Sequence, residues 1–316
     1  MVSLIQLIRN ENMKLYKRTG TWVMIGLIIL AIIGVGLFTK FVLDSNEQTD
    51  WKEQLKAENM QLENTMKDTE QLGIGSNYVK QQLAINNYRL ENDDPPINSQ
   101  SLWGFMIDVT NFTGFVGLFS IVVAAGIVAS EFSWGTIKLL LIRPVSRSKI
   151  LLSKYITTIL FALLLITLLF GLSFIFGSLL FGFSGIEQSN LVYQNNQVVE
   201  QNMITYIISL YGFNSIDLFM MLTFAFMIST VFRSSSLAIG ISIFLMFTGP
   251  QLVQLLSNYE WVKYVLFANT NLQQYTNGIP IVEGMTMAFS ISMLIIYFVI
   301  FIGVSWITFE KRDVTT

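Results

Sequence analysis

The sequence of 316 residues contains no cysteine and no histidine. Without cysteine there is no disulfide, no thiolate nucleophile and no thiolate metal site. Without histidine the usual proton carrier near neutral pH and the commonest metal ligand are both missing. An intramembrane protease would have few nucleophile and base pairs left to it. No G-x-x-x-x-G-K-[ST] loop occurs, so no nucleotide is expected to bind to this chain itself. Nor does it carry a basic, aromatic-studded soluble face of the kind that holds nucleic acid. Charge is scarce too: 13% of residues are charged, 53% are hydrophobic, and the net charge is −2. A soluble domain carries about 25% charged residues, so this composition points to a bilayer.

A hydrocarbon core about 30 Å thick takes about 20 helical residues. Six apolar runs meet that length and predict an all-α polytopic membrane protein, with transmembrane helices at 20–43, 109–129, 155–183, 217–232, 237–256 and 287–309. The first is too long for a signal peptide, and Phe41-Val42-Leu43 is not a small-residue cleavage site. The third must tilt, bend at Gly171 or Gly177, or project beyond the lipid. The fourth is the shortest. The fifth carries Gly249-Pro250-Gln251 and then Gln254, a helix break with polar groups that reads as a gate or a kink.

Charge orients these spans. Arg9, Lys14, Lys17 and Arg18 precede the first; Lys138, Arg143, Arg147, Lys149 and Lys154 follow the second; Arg233 follows the fourth; Lys311 and Arg312 follow the sixth. These twelve cations share one side, while 184–216 has none and 257–286 only Lys263. The positive-inside rule therefore places both termini in the cytoplasm. Residues 1–19 read as an amphipathic interface helix with Leu4, Leu7, Ile8 and Leu15 on one face. Residues 44–108 form an extracytoplasmic loop with twelve acidic and five basic residues. Trp51, Leu55, Leu62 and Met66, then Val79, Leu83 and Leu90, recur there at helical spacing. Two short helices ending at Pro95-Pro96 are expected, serving as a lid or as a solvated cap. Asp217 is the one carboxylate placed inside a span, near its outer end, and an intramembrane acid is by default a functional candidate.

The cytoplasmic segment 130–154 holds the sharpest pattern. Glu131, Gly135, Thr136, Lys138, Pro144, Ser146, Arg147 and Lys154 stand in an order and spacing that resembles the first cytoplasmic loop of ABC-2 type transporter permeases. The ending Trp306-Ile307-Thr308-Phe309-Glu310-Lys311-Arg312-Asp313, the six-span layout and the aromatic outer segment 257–286 with Trp261, Tyr264, Phe267 and Tyr275 resemble the same family. The resemblance implies the membrane subunit of a bacterial ABC exporter, in the cytoplasmic membrane. Two copies of an ATP-binding subunit would hold ATP and Mg, and a second permease copy or a related permease would complete the pathway. Cargo would be an amphiphilic peptide, antibiotic or lipid-like molecule. Glu131, Gly135, Thr136, Lys138, Pro144 and Arg147 would couple the chain to its ATPase, 257–286 would be an outer re-entrant region, and 310–316 a cytoplasmic tail. Thr136 would cap a short helix that Pro144 stops, and Arg147 would anchor the loop to a carboxylate. Asp217, Pro250, Gln251 and Gln254 are the candidates for a substrate pathway. The alternatives are a non-transporting sensor or scaffold that uses the outer loop, and a secondary transporter. The second has against it the lack of paired intramembrane charges and of a convincing internal repeat.

Overall fold

The computed structural model describes residues 3–42, 51–71, 77–136, 145–183, 188–194, 197–232, 234–276 and 280–311. Among them, six helices are long and apolar enough to cross a bilayer. Helix α1 (Leu4–Tyr16) opens with a capping box, in which Gln6 N donates to Ser3 Oγ at 3.2 Å and Ser3 N donates to Gln6 Oε1 at 3.1 Å. Its turn into α2 (Thr19–Phe41) is fixed by the Thr21 hydroxyl and the Trp22 indole, which donate to the carbonyls of Leu15 at 2.6 Å and Tyr16 at 2.8 Å.

Helices α3 (Trp51–Gln71) and α4 (Asn77–Asn92) pack on each other beyond the other end of α2. Leu55 and Val79 are buried between them, and Asn59 bonds to both Asn86 and Asn87 at 2.9 Å. The second span begins earlier than hydropathy suggests, as α5 (Leu102–Thr110), and restarts after a two-residue break as α6 (Thr113–Ser133). Residues 102–108, expected in the outer loop, are therefore helical. The bond that starts α5, from Gly104 N to Ser101 Oγ at 3.1 Å, brings the chain so close to itself that a Cβ at Gly104 would lie 2.1 Å from the Asn98 carbonyl oxygen. Gly104→Ala is expected to destabilise the fold by about 1–3 kcal/mol, read as a fall in Tm in detergent. Gly114→Ala, with open space around its Cβ, is the control.

Helix α7 (Arg147–Phe181) is one continuous helix of 35 residues. It starts eight residues before the expected span and runs through Gly171 and Gly177 without a break, so part of the expected 130–154 loop is helix. A β-hairpin follows, β1 (Ser189–Gln194) antiparallel to β2 (Gln197–Asn202), with Val192 opposite Val199. The all-α expectation describes the spans, and the hairpin is an addition to it between two of them: Val192, Tyr193, Val198 and Val199 are residues that favour strands. Glu200 of β2 accepts from the Tyr88 hydroxyl of α4 at 3.0 Å.

Helix α8 (Met203–Val231) starts at Asn202, whose side chain accepts from Ile204 N and Thr205 N. The fourth span is thus 29 residues long, not the shortest, and 203–216 belongs to it rather than to an outer loop. Helix α9 (Ser235–Leu255) includes Pro250. Short turns at Glu260–Tyr264, α10 (Leu266–Asn269) and Leu272–Tyr275 lead to α11 (Met287–Lys311).

The helix formed by α5 and α6 is the centre of the bundle: 67% of its most apolar window is buried, against 17% for α11. Small residues allow the close packing, since Ala124, Ala125, Gly126 and Ala129 are all buried in α6. Ser229 of α8 accepts from Ala129 N at 3.0 Å and Val128 N at 3.3 Å, and Tyr155 of α7 meets Thr223 of α8 at 2.9 Å.

Candidate functional site

One end of the bundle gathers α1, the end of α6 and the start of α7 around a buried ammonium group. Lys154, one turn into the apolar part of α7, has a side chain 1% exposed. Its three N–H donors are all engaged: Glu11 Oε2 at 2.8 Å, Glu131 Oε1 at 2.9 Å and the Ile127 carbonyl at 3.2 Å. Lys14 bridges the same two carboxylates from the rim, at 2.9 Å from Glu11 and 3.4 Å from Glu131. Two carboxylates and two ammonium groups leave the cluster neutral, which permits its burial.

Each helix contributes for a local reason. In α1, Leu7, Glu11 and Leu15 repeat every four residues and form one buried stripe, with Glu11 in its middle. Arg9, Lys17 and Arg18 stay exposed, and the Arg18 guanidinium lies 5.5 Å from the centre of the Trp134 ring, a second tie between the N-terminal segment and α6. Glu131 sits in the last turn of α6. The chain then leaves the helix through Gly135, whose φ of +70° is the left-handed conformation that favours glycine at this point. That turn carries Thr136 back, and its hydroxyl donates to the Glu131 carboxylate.

Burial alone would raise the Glu11 carboxyl above its ordinary pKa, but Lys154 and Lys14 override it and hold the group lowered. For Lys14, burial would lower the ammonium, and Glu11 and Glu131 override it in the other direction, so its pKa is raised. The stabilisation from Glu11 is present above the ordinary Glu value and is lost as pH falls through the lowered one. That from Lys14 is present below the ordinary Lys value and is lost as pH rises through the raised one. Both therefore contribute throughout the neutral range.

Of the six residues expected to couple the chain to a partner, Glu131, Gly135 and Thr136 come together here. Thr136 faces back onto Glu131. Lys138 and Pro144, and with them the expected short helix, lie outside the described residues. Arg147 opens α7 and donates from Nη1 to the Glu310 carbonyl at 3.0 Å, while the neighbouring Ser148 hydroxyl donates to the Glu310 carboxylate. One contact of Arg147 is thus with the carbonyl-rich end of α11, a favourable place for a cation. Lys149 is exposed.

The other candidates are elsewhere. Asp217 lies midway along α8. Pro250, Gln251 and Gln254 are exposed on α9. Their neighbour Gly249 is buried with the Phe267 ring against it, where a Cβ would come within 2.5 Å of the ring. The sequence reading did not single out Glu11, and it placed Lys154 in the family-like pattern and among the orienting cations but not among the coupling residues. The one available signal was the four-residue spacing that puts Glu11 in line with Leu7 and Leu15.

Six helices long and apolar enough to cross a bilayer define a multi-pass helical membrane protein. The chain belongs to the DUF2705 family, described as a protein of unknown function, whose model matches residues 79–315. It is 43% identical over 314 residues to the uncharacterized protein YhcI of Bacillus subtilis (strain 168), covering 98% of this chain and 99% of the relative. It is 39% identical over 198 residues to the uncharacterized membrane protein YdbK of the same organism, covering 62% of this chain and 76% of the relative.

Proposed function

We propose that this protein is the permease subunit of an ATP-driven exporter of the ABC-2 type, in the bacterial cytoplasmic membrane. In this reading both termini and the segment 130–154 face the cytoplasm, and α3, α4 and the hairpin face outward. A pair of separate ATP-binding subunits supplies ATP and Mg, a second permease copy or a related chain completes the pathway, and the cargo is an amphiphilic peptide, antibiotic or lipid-like molecule. The observation that carries the reading is the joining of Glu131 and Thr136, from the family-like segment, to Lys154 and Glu11 in one buried cluster. An ATPase acts through a permease only if a push at the surface moves spans as a body. The segment 137–144 is flanked by α6 and α7, and the cluster ties both of them to α1. Force on the segment then reaches three helices at once.

The test is copurification. The tagged full-length chain, extracted from native membranes in mild detergent, is expected to bring with it an ATP-binding subunit with Mg-dependent hydrolysis that disappears when the tagged chain is depleted. Recovery of an intact, folded chain with no ATPase attached, over a range of mild detergents, would sink the exporter reading and favour the sensor or scaffold.

A further inference from the structure

Where α5 gives way to α6, the protein has an open-sided pocket of about 370 Å³, walled by the break itself, by α8 and by the turn Leu272–Tyr275. Its size falls within the range of small-molecule sites. No charged residue lines it, and six of its eight lining residues carry side-chain hydrogen-bonding groups. At the break, the Thr110 and Thr113 hydroxyls donate to the carbonyls of Ile107 at 2.6 Å and Thr110 at 2.7 Å, and Asn111 Nδ2 donates to the Asp108 carbonyl at 3.0 Å. The two hydroxyl protons are committed to the chain and their oxygens remain as acceptors, while Asn111 keeps one amide N–H and its carbonyl oxygen. Asn214 and Gln273 add carboxamides, which donate and accept.

These groups discriminate among occupants. An ionic headgroup would meet no counter-charge in the lining, and a hydrocarbon would displace water from polar side chains without replacing its hydrogen bonds. A sugar would need a partner for each of its many hydroxyls. A peptide unit is neutral and strongly dipolar, with a donor and an acceptor side by side, and it matches a carboxamide group for group. Ile107 and Leu210 complete the wall with apolar surface for its side chains. Asn214 lies on α8 and Gln273 in the turn Leu272–Tyr275. An occupant touching both amides therefore bridges a span and the turn that follows α10.

We propose that this cavity binds the main-chain amide of an uncharged apolar peptide. This names the substrate class of the exporter and rests on that reading only for the word substrate. The test uses the full-length protein in nanodiscs and radiolabelled N-acetyl-Leu-Leu-amide as probe. Saturable binding is expected. It should weaken about tenfold for the ester analogue, in which oxygen replaces the inter-residue N–H, and again for Asn214→Leu or Gln273→Leu. Unfolding midpoints check both variants. If Asn214→Leu does not insert, Gln273→Leu, outside the spans, and the ester comparison on the unaltered protein still decide. Absence of saturable binding, equal binding of the ester and by the variants, or displacement of the probe by sucrose would overturn the proposal. Peptide binding without an associated ATPase would sink the exporter reading alone, and an active ATPase complex without peptide binding would sink this site alone.

Discussion

Replacing Lys154 by methionine is expected to destabilise the protein by about 3–5 kcal/mol, the cost of leaving a buried carboxylate without its partner. Methionine keeps most of the volume of the lysine stem, so packing is little changed. Glu11 and Glu131, which now bond to opposite sides of one ammonium, would face each other across an apolar gap with only the half-exposed Lys14 between them. Thermal unfolding in detergent, followed by tryptophan fluorescence, should show Tm falling by on the order of 10 °C. The triple variant Glu11→Gln/Glu131→Gln/Lys154→Met should recover much of that loss, because the one charge left without a partner, on Lys14, is 41% exposed and can reach water. A Tm unchanged in Lys154→Met would mean that water already reaches the cluster and that it does not hold the three helices together.

Arg147→Ala is expected to abolish coupling between hydrolysis and transport, with at least a tenfold fall in ATP-dependent transport in reconstituted vesicles, while Lys149→Ala behaves as the unaltered protein. Two residues apart on the first turn of α7, these cations differ in what they touch. Arg147 holds the end of α11 through the Glu310 carbonyl, whereas Lys149 is exposed. The charge removed is the same, so a topological role would make the two variants alike. If both transport normally and keep their ATPase, the cationic loop is only an orientation signal, and the coupling reading fails.

The six spans were legible because each is a long apolar run, and that property survives in one dimension. The ends were harder to read, for physical reasons that differ from case to case. Residues 203–216 looked polar because of Tyr206, Ser209, Tyr211, Asn214 and Ser215. Yet Ser209 and Ser215 return their hydroxyl protons to carbonyls of their own helix, at 2.8 and 2.7 Å, and so sit in a span at little cost. The start of α7 was read as loop because Lys154 looked like a cation seeking water. Its burial depends on carboxylates 143 and 23 residues away in the chain, and no local pattern announces such a pairing. The hairpin was missed because residues 184–216, within which it lies, were treated as mere connection.

The unbroken length of α7 has a mechanical consequence. At 1.5 Å per residue its 35 residues make a rod of about 52 Å, well beyond the roughly 30 Å of hydrocarbon. Lys154 grips it near one end, and at the far end the Lys40 ammonium holds the Leu180 carbonyl at 2.9 Å. Swinging such a rod by about 10° around its middle carries each tip roughly 5 Å, in opposite directions. A nudge at the Glu131 end would thus arrive beneath the hairpin as a displacement the width of a side chain, delivered by leverage rather than through a chain of intermediates.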